Sequence, residues 1–115
     1  MRVGIDLVKI SRFKNKSDSF FEKYFTNAEI TYAKTRKNFY ESIAGIFACK
    51  EAFLKAIGVG VFKGIALKEV EVLHEEGGAP ILSLSGKVKK QYKIKSTSVS
   101  ISHEGTLSAA ICAVN

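Results

Sequence analysis

The chain has 115 residues, of which 46% are hydrophobic and 25% are charged. This composition predicts one globular domain over residues 1–115 with a substantial apolar core. The 18 basic residues outnumber the 11 acidic residues, which gives a formal net charge of +7. We therefore expect an acidic partner, such as nucleic acid, anionic lipid, a polyphosphate ligand or an acidic protein.

The same composition disfavours several locations and chemistries. No apolar run approaches the roughly 18 residues of a membrane span, and Asp6 interrupts the opening stretch MRVGIDLV too soon for a secretory signal. We expect a cytoplasmic protein with no membrane contact. Cys49 and Cys112 have no CxxC spacing, and both are predicted to be reduced thiols in the core.

The first part of the chain predicts a strand and then short helices. Residues 2–7 alternate weakly between apolar and polar and predict a first strand, with Asp6 near its end. An aspartate at that place, taken alone, is best explained as the N-cap of a following helix. Residues 9–37 are predicted to be helical in pieces with aromatic core faces, and Thr26 with Glu29 matches a capping box.

The later part of the chain predicts a hairpin, a short helix and two further strands. Gly58 ends the central helix in the manner of a helix C-terminus, and alternation with turn residues marks the strands that follow. The predicted elements are, in order, a mobile loop at 61–66, strands at 69–74 and 81–84, a helix at 85–92, and strands at 98–103 and 106–114.

One helix, at residues 43–57, organises these elements. Its sequence IAGIFACKEAFLKAI is apolar on nearly every side, as in helices that are buried all round. Because strands and helices do not alternate regularly, we predict an α+β fold: an antiparallel sheet packed against this long buried helix plus shorter helices. The helix also carries Lys50, Glu51 and Lys55, and buried charges are costly unless they are paired.

Two interpretations of Glu51 and Lys55 are open at this point. The residues are four apart with the glutamate first, so they fit a helical ion pair worth roughly 0.2–0.5 kcal/mol when exposed. Alternatively, the carboxylate holds a metal ion and the ammonium group holds a phosphate. The residues alone do not choose between the two.

Four polar residues occur where a purely structural protein would rarely have them, at predicted strand ends or in an apolar helix. They are Asp6, Glu51, Lys55 and His103. Two carboxylates suit Mg²⁺, which takes oxygen ligands and is commonly completed by substrate phosphates. A lysine and a histidine beside such an ion suit a substrate that contains a diphosphate. A lone histidine at a strand end is more often structural, so His103 gains weight only from the other three.

Three motifs resemble the phosphopantetheinyl transferases, and most of all the short acyl-carrier-protein synthase type. They are GIDLVKISR, FACKEAFLKAIGVG and SVSISHEG, in the family's order and spacing, with GGAPIL where the family has a G-x-P hairpin turn. The resemblance covers essentially the whole chain. It implies the 4′-phosphopantetheinyl transferase fold and Mg²⁺-dependent transfer of 4′-phosphopantetheine from coenzyme A to a serine of apo acyl carrier protein. This step of fatty acid biosynthesis releases adenosine 3′,5′-bisphosphate.

The resemblance also implies roles for individual residues. Asp6 and Glu51 match the catalytic Mg²⁺ ligands, and Lys55 matches the catalytic lysine at the reacting phosphate. His103 matches a residue near the nucleotide phosphates, and Arg12 matches a basic residue that docks the acidic carrier protein. Short members of the family are homotrimers with each site built from two subunits, and the same assembly is implied here.

One position departs from the family pattern. The family often has an arginine that contacts the phosphates of coenzyme A immediately before the F-A-x-K-E run, and this chain has Ile46 there. We expect a basic group nearby to substitute, with Arg36, Lys37 and His103 as the candidates.

A small basic nucleic-acid-binding domain without enzymatic activity is the alternative hypothesis. It accounts for the charge and the aromatic residues, but it leaves Glu51 in an apolar helix unexplained, and no RNA- or DNA-binding motif is present. A subunit that keeps the fold without the activity is a third possibility. The joint presence of Asp6, Glu51 and Lys55 argues against it, so we expect no nucleic-acid partner.

Overall fold

The computed structural model describes residues 1–60 and 63–115, so residues 61 and 62 of the predicted loop at 61–66 lie outside the described residues. Strands are β1, β2, β3, β4 and β5, at Arg2–Lys9, Val70–His74, Pro80–Leu84, Thr97–Glu104 and Leu107–Val114. Helices are α1, α2, α3 and α4, at Asp18–Tyr24, Asn27–Thr35, Phe39–Ala56 and Gly86–Gln91. Short 3₁₀ turns lie at Ile10–Phe13 and Leu67–Glu69.

The α+β fold class is confirmed, with the strands divided between two antiparallel sheets. The larger sheet has the order β1-β5-β4, and the smaller one is the β2-β3 hairpin. Strand β5 is central and pairs with β1 from Arg2↔Val114 to Lys9↔Leu107. No helix among the described residues has the length and apolarity to cross a membrane.

Helix α3 is the buried centre of the fold, as predicted, although it begins earlier than residue 43. Asn38 is its N-cap, because the Asn38 side chain accepts a hydrogen bond from the Glu41 backbone N–H at 3.1 Å. Gly58 follows the helix with a φ of +75°, a conformation that favours glycine. Every α3 residue from Ile43 to Lys50 is buried.

Strand β1 lies directly on α3 because Gly4 has no side chain. A Cβ at Gly4 would collide with the backbone of Ala52 and meet the Ala56 N at 2.6 Å. The backbone of β1 therefore packs directly against the backbone of α3 at its alanines. This contact brings the middle of β1 beside the C-terminal half of the helix. Cys112 packs at the same level of the sheet, paired with Gly4.

The predicted core thiols are confirmed. Cys49 and Cys112 are both free and buried. Burial raises the pKa of Cys49 to about 12 and the pKa of Cys112 to about 11, so both stay protonated and unreactive at neutral pH.

Lys50 is held by a fully buried ion pair that the sequence analysis does not anticipate. Its Nζ lies 2.7 Å from Glu29 Oε1, with both side chains completely buried, and it donates to the carbonyls of Leu67 at 2.9 Å and Tyr24 at 3.2 Å. The other Glu29 oxygen accepts from the Val72 N–H at 2.7 Å. All three ammonium donors of Lys50 are used. Lys50 therefore links α3 to the end of α1, to α2 and to the 3₁₀ turn before β2.

Glu29 serves two purposes at once. The predicted capping box is confirmed, since Thr26 N donates to Glu29 Oε1 at 2.9 Å and Glu29 N donates to Thr26 Oγ1 at 3.2 Å. The same carboxylate neutralises Lys50, so a local helix cap and a long-range ion pair share one residue.

The position predicted for Asp6 is wrong in one respect. Asp6 is not at a strand end and caps no helix, because β1 continues to Lys9 and the following 3₁₀ turn has Lys9 as its N-cap. Even-numbered residues of β1 face α3, so Asp6 points toward the helix.

The opposite face of the larger sheet is apolar and open. Four large aliphatic residues there are between 45% and 64% exposed, namely Val3, Ile5, Leu7 and Ile111. Ile5 and Ile111 are register partners, so their side chains form one continuous patch. Scattered exposed aliphatics are ordinary, but a contiguous patch on a sheet face marks a contact surface.

Breaking the buried Lys50–Glu29 pair should lower the stability of the fold more than breaking the Lys55–Asp6 pair. We expect Lys50→Met to lower the free energy of unfolding by about 3–5 kcal/mol, because it leaves the Glu29 carboxylate buried without its cation. Adding Glu29→Gln should restore part of that loss. Urea unfolding measures both, with Lys55→Met as the control, since the ammonium group of Lys55 is half-exposed and solvent screens its charge. Equal costs for Lys50→Met and Lys55→Met would contradict this account.

Candidate active site

Asp6 and Lys55 meet where β1 crosses the C-terminal half of α3. Lys55 Nζ lies 3.0 Å from Asp6 Oδ1 and donates to the Ile5 carbonyl at 3.2 Å. The Asp6 side chain is 12% exposed and the Lys55 side chain 54%, so the carboxylate is sheltered while the ammonium group reaches solvent. The helical ion pair between Glu51 and Lys55 is not what the structure shows, because Lys55 pairs across to β1 instead.

Glu51 shares this corner without a partner of its own. Within the described residues its carboxylate makes no hydrogen bond or ion pair, and the residue is half-buried, so water reaches the carboxylate. Burial raises the pKa of Glu51, and the nearby Asp6 charge raises it further, while Lys55 and Arg12 oppose the rise. Two carboxylates this close repel each other, and a cation between them would relieve both the repulsion and the burial cost.

Asp6 and Glu51 fit a magnesium ion in donor type and in number. Both supply hard oxygen atoms, and a Mg²⁺ site often uses one or two carboxylates with waters and substrate phosphates completing the shell. No cluster of three or more histidine, cysteine, aspartate or glutamate residues suited to a metal occurs among residues 1–60 and 63–115. A tightly caged transition-metal site is therefore a poorer match to this corner than a magnesium ion shared with substrate.

Arg12 lies on the same side of the molecule. It is exposed on the 3₁₀ turn after β1, and its guanidinium Cζ lies 4.8 Å from the Phe47 ring centroid. Its charge acts on the Glu51 carboxylate. The aromatic contact holds an exposed cation beside the carboxylate pair.

Arg36, Lys37 and His103 are brought together at a second place. All three line one cavity of about 630 Å³, with Glu41 and Tyr32 among its other walls. His103 Nδ1 lies 3.4 Å from Glu41 Oε1, a neighbour that the sequence analysis missed because 62 residues separate the two. Glu41 brings a negative charge to the same cavity.

Ile46 lies next to that cavity and is almost fully buried. It lines a smaller adjoining cavity of about 140 Å³ together with His103, Tyr32 and His74. The basic candidates to replace an arginine at position 46 are thus on neighbouring walls.

The two groups of charged residues lie at opposite ends of α3. Glu41 is in its first turn and Lys55 in its last, and the helix rises about 1.5 Å per residue, which separates the two ends by roughly 20 Å. Asp6, Glu51 and Lys55 therefore form one group in a single chain, and Arg36, Lys37 and His103 form another.

Comparison with known proteins defines the class. The family model of the 4′-phosphopantetheinyl transferase superfamily matches residues 2–112, and the chain belongs to this superfamily. It is an enzyme of the transferase class, and the relatives it matches are holo-[acyl-carrier-protein] synthases. The one from Clostridium botulinum (strain Eklund 17B / Type B) is 42% identical over 109 residues, covering 90% of this chain and 88% of the relative.

Solved structures agree with this assignment. Helicobacter pylori holo-[acyl-carrier-protein] synthase in complex with coenzyme A has a TM-score of 0.89 at 33% identity, covering 98% of this chain and 99% of that one. A Chronobacterium ammoniagenes ACPS–CoA complex has a TM-score of 0.85 at 32% identity, covering 99% and 96%. The resemblance drawn from the three motifs is confirmed, and family membership favours the transferase over the nucleic-acid-binding alternative.

The raised pKa of Glu51 leads to a stability prediction. A carboxyl whose pKa is higher in the folded state destabilises the fold when ionised, so the penalty is present at neutral pH and disappears below the ordinary pKa of 4.5. We expect Glu51→Gln to raise the melting temperature at pH 7 without divalent cations, and to leave it unchanged near pH 4. Scanning calorimetry at the two pH values measures this.

Magnesium provides the matching control for the same variant. Millimolar Mg²⁺ should raise the melting temperature of the unsubstituted protein more than that of Glu51→Gln, because ligand bound only to the folded state stabilises it. A Glu51→Gln variant less stable at pH 7 and equally responsive to Mg²⁺ would show that Glu51 is a structural residue.

Proposed function

We propose that this protein transfers the 4′-phosphopantetheine group of coenzyme A to a serine of apo acyl carrier protein, in a Mg²⁺-dependent reaction of fatty acid synthesis in the cytoplasm. The products are holo-acyl carrier protein and adenosine 3′,5′-bisphosphate. The observation that carries the proposal is the unpartnered Glu51 carboxylate beside the Asp6–Lys55 pair. Two similar structures are described as complexes with coenzyme A, which supports the choice of donor.

Each residue of this corner has a role that follows from its surroundings. Asp6 and Glu51 would hold Mg²⁺, which would supply positive charge to offset that of the coenzyme diphosphate. Lys55 is anchored by Asp6 and the Ile5 carbonyl but is half exposed, so its ammonium group can donate to a phosphate oxygen. That fixed charge meets the negative charge that develops as the serine oxygen attacks phosphorus, its proton passes to solvent, and the bond from that phosphorus to adenosine 3′,5′-bisphosphate breaks.

The nucleotide end of coenzyme A is assigned to the second group of residues. Arg36, Lys37 and His103 surround a cavity of about 630 Å³, which is within the usual volume range of small-molecule sites. Together they supply the positive charge that Ile46 cannot. Along α3, however, the two groups are roughly 15–20 Å apart, so one diphosphate cannot contact both.

A homotrimer resolves that separation, with each site composed of residues from two copies. The apolar patch formed by Val3, Ile5, Leu7 and Ile111 is the surface best suited to contact a second copy, because an exposed sheet face of this kind is stabilised when a partner covers it. Asp6 lies on the strand that carries three of these residues, although its side chain faces α3 on the other side of that strand. Assembly through this patch brings a second copy against the strand that holds Asp6.

The carrier protein is assigned to the surface around Arg12. Acyl carrier proteins are acidic, whereas this chain carries a formal charge of +7. Arg12 is exposed, basic and adjacent to Glu51, so a carrier docked there presents its serine near the carboxylate pair. Opposite charges steer such encounters.

The decisive experiment is modification of a purified apo acyl carrier protein by this protein with coenzyme A and Mg²⁺, followed by mass spectrometry. We expect the carrier to gain one phosphopantetheine group, and the gain to disappear with EDTA. Glu51→Gln should lower kcat at least about a hundredfold, and Lys55→Ala should lower kcat more than it raises KM for coenzyme A. An unmodified carrier under these conditions, with several carriers tried, would refute the proposal.

Docking at Arg12 predicts a particular salt dependence. Raising NaCl from 50 to 300 mM should increase KM for the carrier severalfold and KM for coenzyme A much less, because exposed charge pairs are screened over a Debye length of roughly 10 Å at 0.1 M. Arg12→Glu should raise the carrier KM and weaken its salt dependence. The control is Lys95→Glu, which makes an equal change of charge at a different exposed basic residue. Equal effects of Arg12→Glu and Lys95→Glu on the carrier KM would contradict the assignment.

Assembly through the apolar patch is tested by Ile5→Asp. A charge at the centre of a dry interface is costly, so this variant should sediment as a monomer while the unsubstituted protein sediments as a trimer. Transfer activity should fall with assembly, although Asp6, Glu51 and Lys55 are unchanged. Lys9→Asp on the same strand serves as the control, and a monomeric protein with full activity would contradict a shared site.

A further inference from the structure

Tyr32 and His74 form an aromatic stack that none of the roles above uses. Their ring centroids lie 3.6 Å apart with an interplanar angle of 7°, a face-to-face contact between the α2 helix and the last residue of β2. Tyr32 belongs to the walls of both cavities, the larger one with Arg36 and the smaller one with Ile46. Tyr32 therefore lies between the cavity that Ile46 lines and the cavity that Arg36 lines.

Arg36 contacts the same aromatic ring. Its guanidinium Cζ lies 5.5 Å from the Tyr32 centroid, within the distance at which a cation is attracted to an aromatic face. Arg36 is the C-cap of α2 and its side chain is exposed. An exposed arginine samples many rotamers, so a fixed ring beside it selects among them.

The Tyr32 ring is held in place by His74, against which it is packed. The Tyr32 backbone is fixed separately within α2, where its carbonyl accepts a hydrogen bond from Thr35 Oγ1 at 2.7 Å. His74 is paired with Pro80 across the β2-β3 hairpin, which makes it a rigid support. Burial lowers the pKa of His74, and the Arg36 charge lowers it further, so the ring is neutral at pH 7 and adds no second cation against Arg36.

We propose that Tyr32, clamped by His74, is a positioning residue that orients the Arg36 guanidinium toward the cavity to bind the 3′-phosphate of the coenzyme, in place of the arginine absent at Ile46. This inference rests on the proposed function. It differs from the assignment of Arg36 alone because it makes two uncharged rings determinants of selectivity for a phosphate monoester. It also explains how one exposed arginine can be ordered before the ligand arrives.

The test compares coenzyme A with dephospho-coenzyme A, which differ only in that phosphate. Dissociation constants from calorimetry should differ by at least about tenfold for the unsubstituted protein, and Arg36→Met should remove most of the difference. Tyr32→Leu should reduce it about two- to fivefold by weakening coenzyme A binding only, as expected for loss of an exposed cation–aromatic contact. Tyr32→Phe should retain it, and Tyr92→Leu, outside both cavities, should not change it.

A double-substitution cycle separates positioning from general structure. If Tyr32 acts through Arg36, adding Tyr32→Leu to Arg36→Met should leave the ratio of the two dissociation constants unchanged. His74→Leu, which loosens the ring from the other side, should shift the ratio in the same direction as Tyr32→Leu and provides the measurement if that variant does not fold. His74→Phe should preserve the ratio.

Each remaining outcome counts against the inference. Equal weakening of both ligands by Tyr32→Leu, or a further change of the ratio in the Arg36→Met background, would assign Tyr32 a structural role and overturn it while leaving the proposed function intact. Failure of the unsubstituted protein to bind either ligand would overturn the proposed function and this inference with it. The two failures are thus distinguishable in one set of titrations.

Discussion

The constraint on which the structure depends is that α3 is buried along most of its length and still carries charge. A helix in that position can keep a charged residue only where another element supplies compensation. Lys50 obtains it from Glu29 and two backbone carbonyls. Lys55 obtains it from Asp6 on β1. Glu51 is the exception, because within the described residues no group of another element pairs with its carboxylate. That carboxylate is therefore available to bind a cation.

Local patterns made most of the fold predictable, and long-range pairing made the rest inaccessible. The hairpin at Val70–His74 and Pro80–Leu84 and the capping box at Thr26 follow from alternation, turn residues and a three-residue spacing. The start of α3 differs from the prediction although the Asn38 cap is local, because the apolar pattern by itself begins at Ile43. The end of β1 differs because an aspartate at position 6 is compatible with a cap, and only pairing with β5 shows that the strand continues to Lys9.

The candidate site shows the same division. The sequence marks both Asp6 and Lys55 as candidate site residues, yet their ion pair joins residues 49 apart in the chain, and no periodicity indicates it. For Glu29 the sequence predicts only the local cap, although its larger energetic effect comes from Lys50. Glu41 and His74 had no signal at all, since each gains meaning only from the side chain of another element placed against it.

The pairing of β1 with β5 delays completion of the larger sheet. Strand β1 is synthesised before the other strands of this sheet, whereas β5, its hydrogen-bonding partner and the central strand, is synthesised after them. Until β5 is available, β1 exposes unpaired backbone groups along with its aliphatic side chains, a combination prone to wrong pairing. Contacts this distant in sequence also close slowly. The nascent chain is thus prone to aggregate until β5 pairs with β1. During that time the positive charges of Arg2 and Lys9 at the two ends of β1 oppose aggregation.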